Sequence, residues 1–192
     1  MEIAPNFSDA DWRALDLTKE SDWLRAIEAF RVRIDERFLK PIRAMLSFSR
    51  SGFAILALDS LLVETLEQAI EGKEETPRGD ASRCFRAFLK RAAFEGAFDD
   101  ITSELFRVTI RNGILHQAEV KASSLVRRDG PLVHLTPTGD GVIVNPLLFH
   151  YRVELAFHDY LEELKQSRSP LRIAFRRKME FTTGENPSAR GD

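Results

Sequence analysis

The chain has 192 residues, of which 43% are hydrophobic and 30% charged, with 28 basic against 30 acidic residues and a formal net charge of -2. This composition is typical of one globular domain, and it excludes intrinsic disorder and a uniformly basic nucleic-acid-binding protein. A single cysteine excludes an internal disulfide and a multi-cysteine zinc site. We find neither a run of about 18 apolar residues nor a signal peptide, so we expect no membrane association and a cytoplasmic location.

Hydrophobic periodicity predicts an all-α protein that begins with a lead-in over residues 1–20. Apolar residues then recur at three- and four-residue spacing, which is typical of amphipathic helices. Pro41 is expected to end the first of these helices. The predicted helices cover residues 21–39, 51–71, 80–93, 99–120 and 147–165. The predicted buried side of the third consists of Phe85, Phe88 and Leu89.

The pattern changes over residues 124–145, where two short apolar segments flank the glycine-containing turn at 138–141. This predicts a small β-hairpin insertion between the fourth and fifth helices. Residues 167–192 are predicted to form a basic extension that ends in a frayed tail over residues 182–192. The fold class is therefore an up-and-down helical bundle over residues 21–166 that carries this insertion.

Polar residues follow the apolar ones on the fourth predicted helix. The predicted buried stripe consists of Ile101, Leu105, Val108 and Leu115. At about 100° per residue, Arg111, Asn112 and His116 fall on the same side as this stripe. Buried polar groups need partners, so these three either find hydrogen bonds within the core or border a cleft.

The segment Arg111-Asn-Gly-Ile-Leu-His116 resembles the signature of the HEPN superfamily, in which an arginine precedes a histidine by a short spacing on a late bundle helix. An asparagine directly after the arginine is frequent in that signature. The resemblance covers roughly residues 22–165 and implies a HEPN-like bundle. It also implies metal-independent RNA cleavage, without a cofactor, at a site that two copies of the chain form together.

The resemblance implies a role for each motif residue. Arg111 would hold the phosphate, Asn112 would orient it or the histidine, and His116 would transfer protons. The expected partners are RNA and a second copy of the chain, and a toxin or antiphage effector would add an antitoxin or regulatory protein. Two alternatives stay open: a non-catalytic HEPN module that binds RNA or a nucleotide, and a structural or interaction protein.

Asp59 lies on the buried stripe of the helix over residues 51–71. An ionised carboxylate there needs a partner, so we expect Asp59 to pair with Arg111 or His116. The alternative is that Asp59 meets water at the end of the bundle. Glu64 is the weaker candidate, because it faces the opposite side of that helix.

Two further groups of polar residues lie near the C-terminus. Four basic residues interleave with Phe175 and predict either a strip that binds RNA phosphates or a solvated face. They are Arg172, Arg176, Arg177 and Lys178. His150, Glu154 and His158 share one helix face, for which we expect a solvated surface rather than a metal site.

Overall fold

Helices dominate the computed structural model of the protein, which describes residues 1–184. Most of the predicted frayed tail, residues 185–192, lies outside the described residues. The helices are α1 (Asp9–Arg13), α2 (Glu20–Ile34), α3 (Lys40–Met45), α4 (Gly52–Glu71), α5 (Ala81–Leu89), α6 (Asp100–Leu105), α7 (Asn112–Gln117), α8 (Pro146–Lys165) and α9 (Leu171–Thr182). The strands are β1 (Glu2–Ala4), β2 (Phe7–Ser8), β3 (Leu125–Val126), β4 (Val133–Leu135) and β5 (Val142–Val144).

Helices α4 and α8 begin and end within one residue of the sequence prediction. The prediction that Pro41 ends the first long helix is wrong, because the helical backbone continues to Met45. A π-turn over Asp35–Leu39 precedes the proline, with the N–H of Lys40 bonded to the carbonyl of Asp35. Proline lacks an N–H and crowds the preceding turn, and the wider π-turn lets the helix pass through it.

The described chain contains no helix with the length and apolarity that crossing a bilayer requires. Its contacts divide it into two compact units. The first unit comprises residues 1–41, 68–75 and 158–184, and the second comprises residues 42–67 and 76–157.

The first unit packs around Phe175 of α9. The Phe175 ring centroid lies 6.2 Å from that of Trp12, 6.3 Å from that of Trp23 and 5.4 Å from that of Phe30. Trp12 is only 3% exposed, although it lies in the predicted lead-in. The N-terminal segment is therefore part of the core of this unit.

A two-stranded sheet that the sequence reasoning missed precedes α1. Strands β1 and β2 pair antiparallel across a turn in which Asn6 adopts a left-handed backbone conformation with φ 59°. Asparagine tolerates this conformation better than most residues, which is the sequence signal for the turn. Ile3 is fully buried, and its carbonyl accepts a hydrogen bond of 3.0 Å from Arg33 Nη1.

The second unit has a core rich in phenylalanine. Phe106 and Phe149 stack with ring centroids 4.7 Å apart and planes 18° apart. Three more buried rings contact this stack, and a fourth, Phe88, contacts one of them, Phe94; the three are Phe85, Phe94 and Phe98. The prediction that Phe85 and Phe88 form the buried side of α5 is confirmed, since neither ring is exposed.

A three-stranded sheet lies between α7 and α8 in the sequence. Strand β5 is its centre, antiparallel to β4 with Val133 opposite Val144, and parallel to β3. The β3 strand was not predicted, because two residues carry too little alternation to be recognised. Val142 and Val144 point from β5 into the core and are fully buried.

We expect Phe106→Ala to lower the free energy of unfolding by about 3–5 kcal/mol, because it leaves a cavity among packed rings. The matched control is Phe48→Ala, which truncates a phenylalanine of the same unit that is 64% exposed. Urea titration followed by circular dichroism measures both changes. Equal shifts of the two midpoints would contradict the placement of Phe106 in the core.

Candidate functional site

The HEPN-like motif lies on a continuous helical segment that contains a π-turn. Residues Phe106–Arg111 form this turn between α6 and α7, and the N–H of Asn112 bonds to the carbonyl of Arg107. The extra residue in the turn rotates the following side chains about the helix axis, relative to their directions in a regular α-helix. Single π-turns inside helices are frequent at functional sites.

The predicted buried stripe of this segment is wrong in phase, since Ile101 is 62% exposed. Small polar residues occupy the packing face and obscured it in the hydropathy pattern. Thr109 Oγ1 donates to the carbonyl of Leu105 at 2.7 Å and lies 2.6 Å from Ser124 Oγ. The buried residues are Thr102, Ser103, Phe106, Thr109, Ile110 and Gly113.

Arg111 is held from three sides. Its Nη2 donates to Glu64 Oε1, its Nη1 donates to Asn112 Oδ1 at 2.9 Å, and its guanidinium carbon lies 5.7 Å from the Phe85 ring centroid. The Arg111 and Glu64 side chains are 16% and 17% exposed. Burial on one side and a carboxylate on the other therefore fix the guanidinium in one orientation.

His116 is exposed in the last turn of α7, so the prediction that it lies on the packing face is wrong. The helix ends at Ala118, which has φ 55° and donates its N–H to the carbonyls of Gly113 and Ile114. The chain then folds back so closely that a Cβ on Gly113 would lie 2.4 Å from the Glu119 carbonyl oxygen. Glycine at this position is therefore required for the turn that positions His116.

Asp59 does not pair with Arg111 or His116, so that prediction is wrong. Its Oδ1 lies 3.0 Å from His150 Nδ1, and the two residues are 0% and 2% exposed. The alternative that Asp59 meets water is also wrong. Burial raises the pKa of Asp59, and the hydrogen bond with His150 opposes part of this rise.

The sequence pattern favours Asp59 over Glu64 as the partner of Arg111. In the structure Glu64 is that partner instead. Helix α4 is enclosed on more than one side, so facing away from the main stripe does not place a residue in solvent. A third carboxylate of α4, Glu67, is 2% exposed and accepts a 2.7 Å hydrogen bond from Arg91 Nη2. The usable signal was the number of acids on an otherwise apolar helix, since each needs a partner.

The predicted solvated face on α8 is wrong at His150, which is buried. His150 Nε2 lies 3.7 Å from Glu154 Oε2. Within residues 1–184, no three histidine, cysteine, aspartate or glutamate side chains are grouped as a metal ion requires.

The four basic residues of α9 do not form one exposed strip. Arg172 is 6% exposed, donates to Glu20 and lies with its guanidinium carbon 4.9 Å from the Trp23 ring centroid. Lys178 is 9% exposed and donates to Gln68 Oε1 at 2.8 Å, and burial lowers its pKa. Arg172 and Lys178 are therefore buried by contacts within the fold and are not exposed for RNA binding. Of the other two, Arg176 pairs with Glu180 and Arg177 is exposed.

No protein-family model, curated protein or solved structure matches the chain.

The raised pKa of Asp59 predicts a pH dependence of stability. As pH rises above the ordinary value of about 3.8, the unfolded chain releases the Asp59 proton, whereas the raised pKa makes the folded chain release it only at a higher pH. This carboxyl therefore makes the free energy of unfolding fall as pH rises, by at most about 1.4 kcal/mol per pH unit. Asp59→Asn removes this pH-dependent contribution of the carboxyl. We therefore expect the variant to gain stability relative to the wild type as pH rises from 4, as measured by urea titration.

Asp100→Asn is the control of opposite sign. A hydrogen bond from Lys90 lowers the pKa of the exposed Asp100, so this variant is expected to lose stability relative to the wild type as pH rises. A stability difference between Asp59→Asn and the wild type that stays constant from pH 4 to 7 would contradict a buried, ionisable Asp59.

Proposed function

We propose that the protein is a metal-independent endoribonuclease of the HEPN type that acts through Arg111, Asn112 and His116. The observation that carries this proposal is the pairing of a fixed guanidinium with an exposed imidazole on one helical segment. Arg111 is held in place by Glu64 and Asn112, whereas His116 is open to a macromolecular substrate. A HEPN-like bundle is the proposed fold family, and the helical content supports it.

The chemistry of cleavage suits these residue types. A neutral His116 removes the proton from a ribose 2′-hydroxyl, and the oxygen attacks the adjacent phosphorus. The bond from phosphorus to the 5′-oxygen breaks, and a protonated imidazole supplies the proton that this leaving oxygen takes up. The products are a 2′,3′-cyclic phosphate and a 5′-hydroxyl, and DNA is inert because it lacks the nucleophile.

Arg111 retains donors for the phosphate. A guanidinium has five N–H donors; the hydrogen bonds to Glu64 and Asn112 occupy two of them and Nε is buried, which leaves one N–H on each of Nη1 and Nη2. Its planar fork stabilises negative charge that develops on the phosphoryl oxygens. The neighbouring carboxylate of Glu64 holds the fork in place, so no reorganisation is needed when the substrate binds.

One copy of the chain lacks a complete set of groups. His116 lies five positions after Arg111, which is about 7.5 Å along a helix and about 140° around it. One histidine also does not serve as base and acid on opposite sides of one phosphorus at the same time. We therefore propose a two-fold homodimer in which each copy contributes His116 and Arg111 to a shared cleft.

Purified protein is expected to cleave single-stranded RNA in the presence of EDTA, and His116→Ala and Arg111→Ala are each expected to reduce the rate by at least about a hundredfold. His134→Ala is the matched control for the first variant, because His134 is an exposed histidine of the same unit. Arg127→Ala, which removes an exposed arginine, is the control for the second. Gel analysis of labelled RNA gives the rates, and circular dichroism verifies folding.

Inhibition by the chelator, or full activity of both motif variants, would contradict the metal-free mechanism. Retained folding with no cleavage by the wild type would favour the non-catalytic alternative. The ion pair of Arg111 with Glu64 favours the other alternative, a structural or interaction protein, because it suits an arginine with a purely structural role. A role as a toxin or antiphage effector, with an antitoxin as partner, belongs to the same proposal.

Mixed dimers test the shared site. Wild-type chains are co-expressed with an excess of His116→Ala chains, and the activity is measured per wild-type chain. A shared site is expected to lose most of this activity, because most wild-type chains then pair with an inactive partner. Activity that stays proportional to the wild-type chains, or a monomer in light scattering, would contradict the composite site.

A further inference from the structure

The second unit also contains a cavity that is lined by two arginines and lies outside the Arg111–His116 motif. This cavity of about 230 Å³ opens where the start of α4 meets Val126, Arg128 and the first residue of α8. Arg50, Arg128 and Phe53 line it, and none of its lining residues is acidic in the part of the chain that the structure describes. The volume lies below the roughly 300 Å³ at which pockets for whole cofactors begin, so the cavity suits a small charged group.

Arg128 brings a positive charge to this cavity, and no carboxylate among residues 1–184 forms an ion pair with it. Its Nη1 donates to the carbonyl of Leu46 at 2.8 Å, and its Nη2 donates to Ser51 Oγ at 2.7 Å and to the carbonyl of Phe48. All three acceptors are neutral, and Nε is buried with no hydrogen-bond partner. The neighbouring carboxylate, Asp129, lies instead 3.5 Å from Arg127 Nε.

Arg50 supplies a second uncompensated charge. It is exposed, and no hydrogen bond or ion pair of its side chain is present within residues 1–184. Two arginines that line one cavity without an acidic residue raise its positive potential, and a bound anion would lower it. The first turn of the 20-residue α4 borders the same cavity through Gly52, and the positive end of its dipole adds to the potential.

We propose that the Arg50–Arg128 cavity binds a backbone phosphate of single-stranded RNA and acts as a docking subsite that shares no residue with the cleavage motif. This inference rests on the proposed function for the identity of the polymer. Phe53 lines the cavity, and Phe48, which is 64% exposed, precedes the lining residue Ser49. Aromatic rings beside a phosphate site favour unpaired nucleotides, because a base that stacks on a ring has to leave its duplex.

The test measures binding separately from cleavage. The probe is a fluorescent single-stranded 2′-O-methyl RNA, which has no free 2′-hydroxyl and is not cleaved by internal attack. Anisotropy titrations at several salt concentrations compare the full-length wild type, Arg50→Glu and Arg127→Glu. The last variant is the matched control, since it makes the same charge change at an exposed arginine that does not line the cavity.

We expect Arg50→Glu to weaken binding about tenfold or more, the factor that one lost charge-assisted hydrogen bond produces. The slope of log affinity against log salt concentration should also decrease in magnitude by about 0.7 for each lost phosphate contact. Arg127→Glu is expected to weaken binding less than about twofold, because screening attenuates charges outside the contact.

Equal effects of the two variants, or no effect of Arg50→Glu, would overturn the subsite. Duplex RNA that binds as tightly with the same dependence on Arg50 would also overturn it. Inorganic phosphate that binds as tightly as the RNA, again through Arg50, would assign the cavity to a free anion and not to RNA. Parallel cleavage assays on unmodified RNA separate the two proposals. If RNA binds through Arg50 but is not cleaved, only the ribonuclease proposal is contradicted. If Arg50→Glu changes neither binding nor cleavage, only the subsite proposal is contradicted.

Discussion

The second unit is organised by the need to pair three carboxylates on one enclosed helix. Asp59, Glu64 and Glu67 all lie on α4, and a buried carboxylate without a partner is strongly unfavourable. Each takes its partner from a different part of the unit: His150 from α8, Arg111 from the π-turn and Arg91 from the segment after α5. These three pairs connect α8, the π-turn and the segment after α5 to α4. The phenylalanine core then fills the space between them with non-directional contacts.

The same constraint decides what the motif arginine does. Glu64 and the Phe85 ring restrain Arg111, so its guanidinium is preorganised before any ligand binds. His116 has the opposite environment, at an exposed helix end that the close approach at Gly113 defines. A fixed charge-stabilising group and an accessible proton-transfer group are what phosphodiester cleavage requires. Their separation on one chain is the physical reason for proposing that a second copy completes the site.

Clusters of basic residues in the sequence do not reveal which of them reach a solvent-accessible cavity in the fold. The four basic residues of α9 lie close together in the sequence. Arg172 and Lys178, however, are buried by contacts within the first unit. Arg50 and Arg128 lie far apart in the sequence and belong to no motif, but the fold brings them to one cavity. Electrostatic function depends on which charges lack counter-ions, and that is a property of the tertiary structure.

The sequence by itself determined the helical class, the bounds of α4 and α8, and the buried side of α5, because helix periodicity and strong apolar patterns are local. It also identified the motif residues as chemistry-bearing types. It did not determine the phase of the segment that carries Arg111, because Thr102 and Thr109 pack as core residues and a π-turn shifts the angles. Only the tertiary structure decided that Asp59 pairs with His150 and Glu64 with Arg111, since the partner of a buried charge comes from a distant element whose position local patterns do not encode.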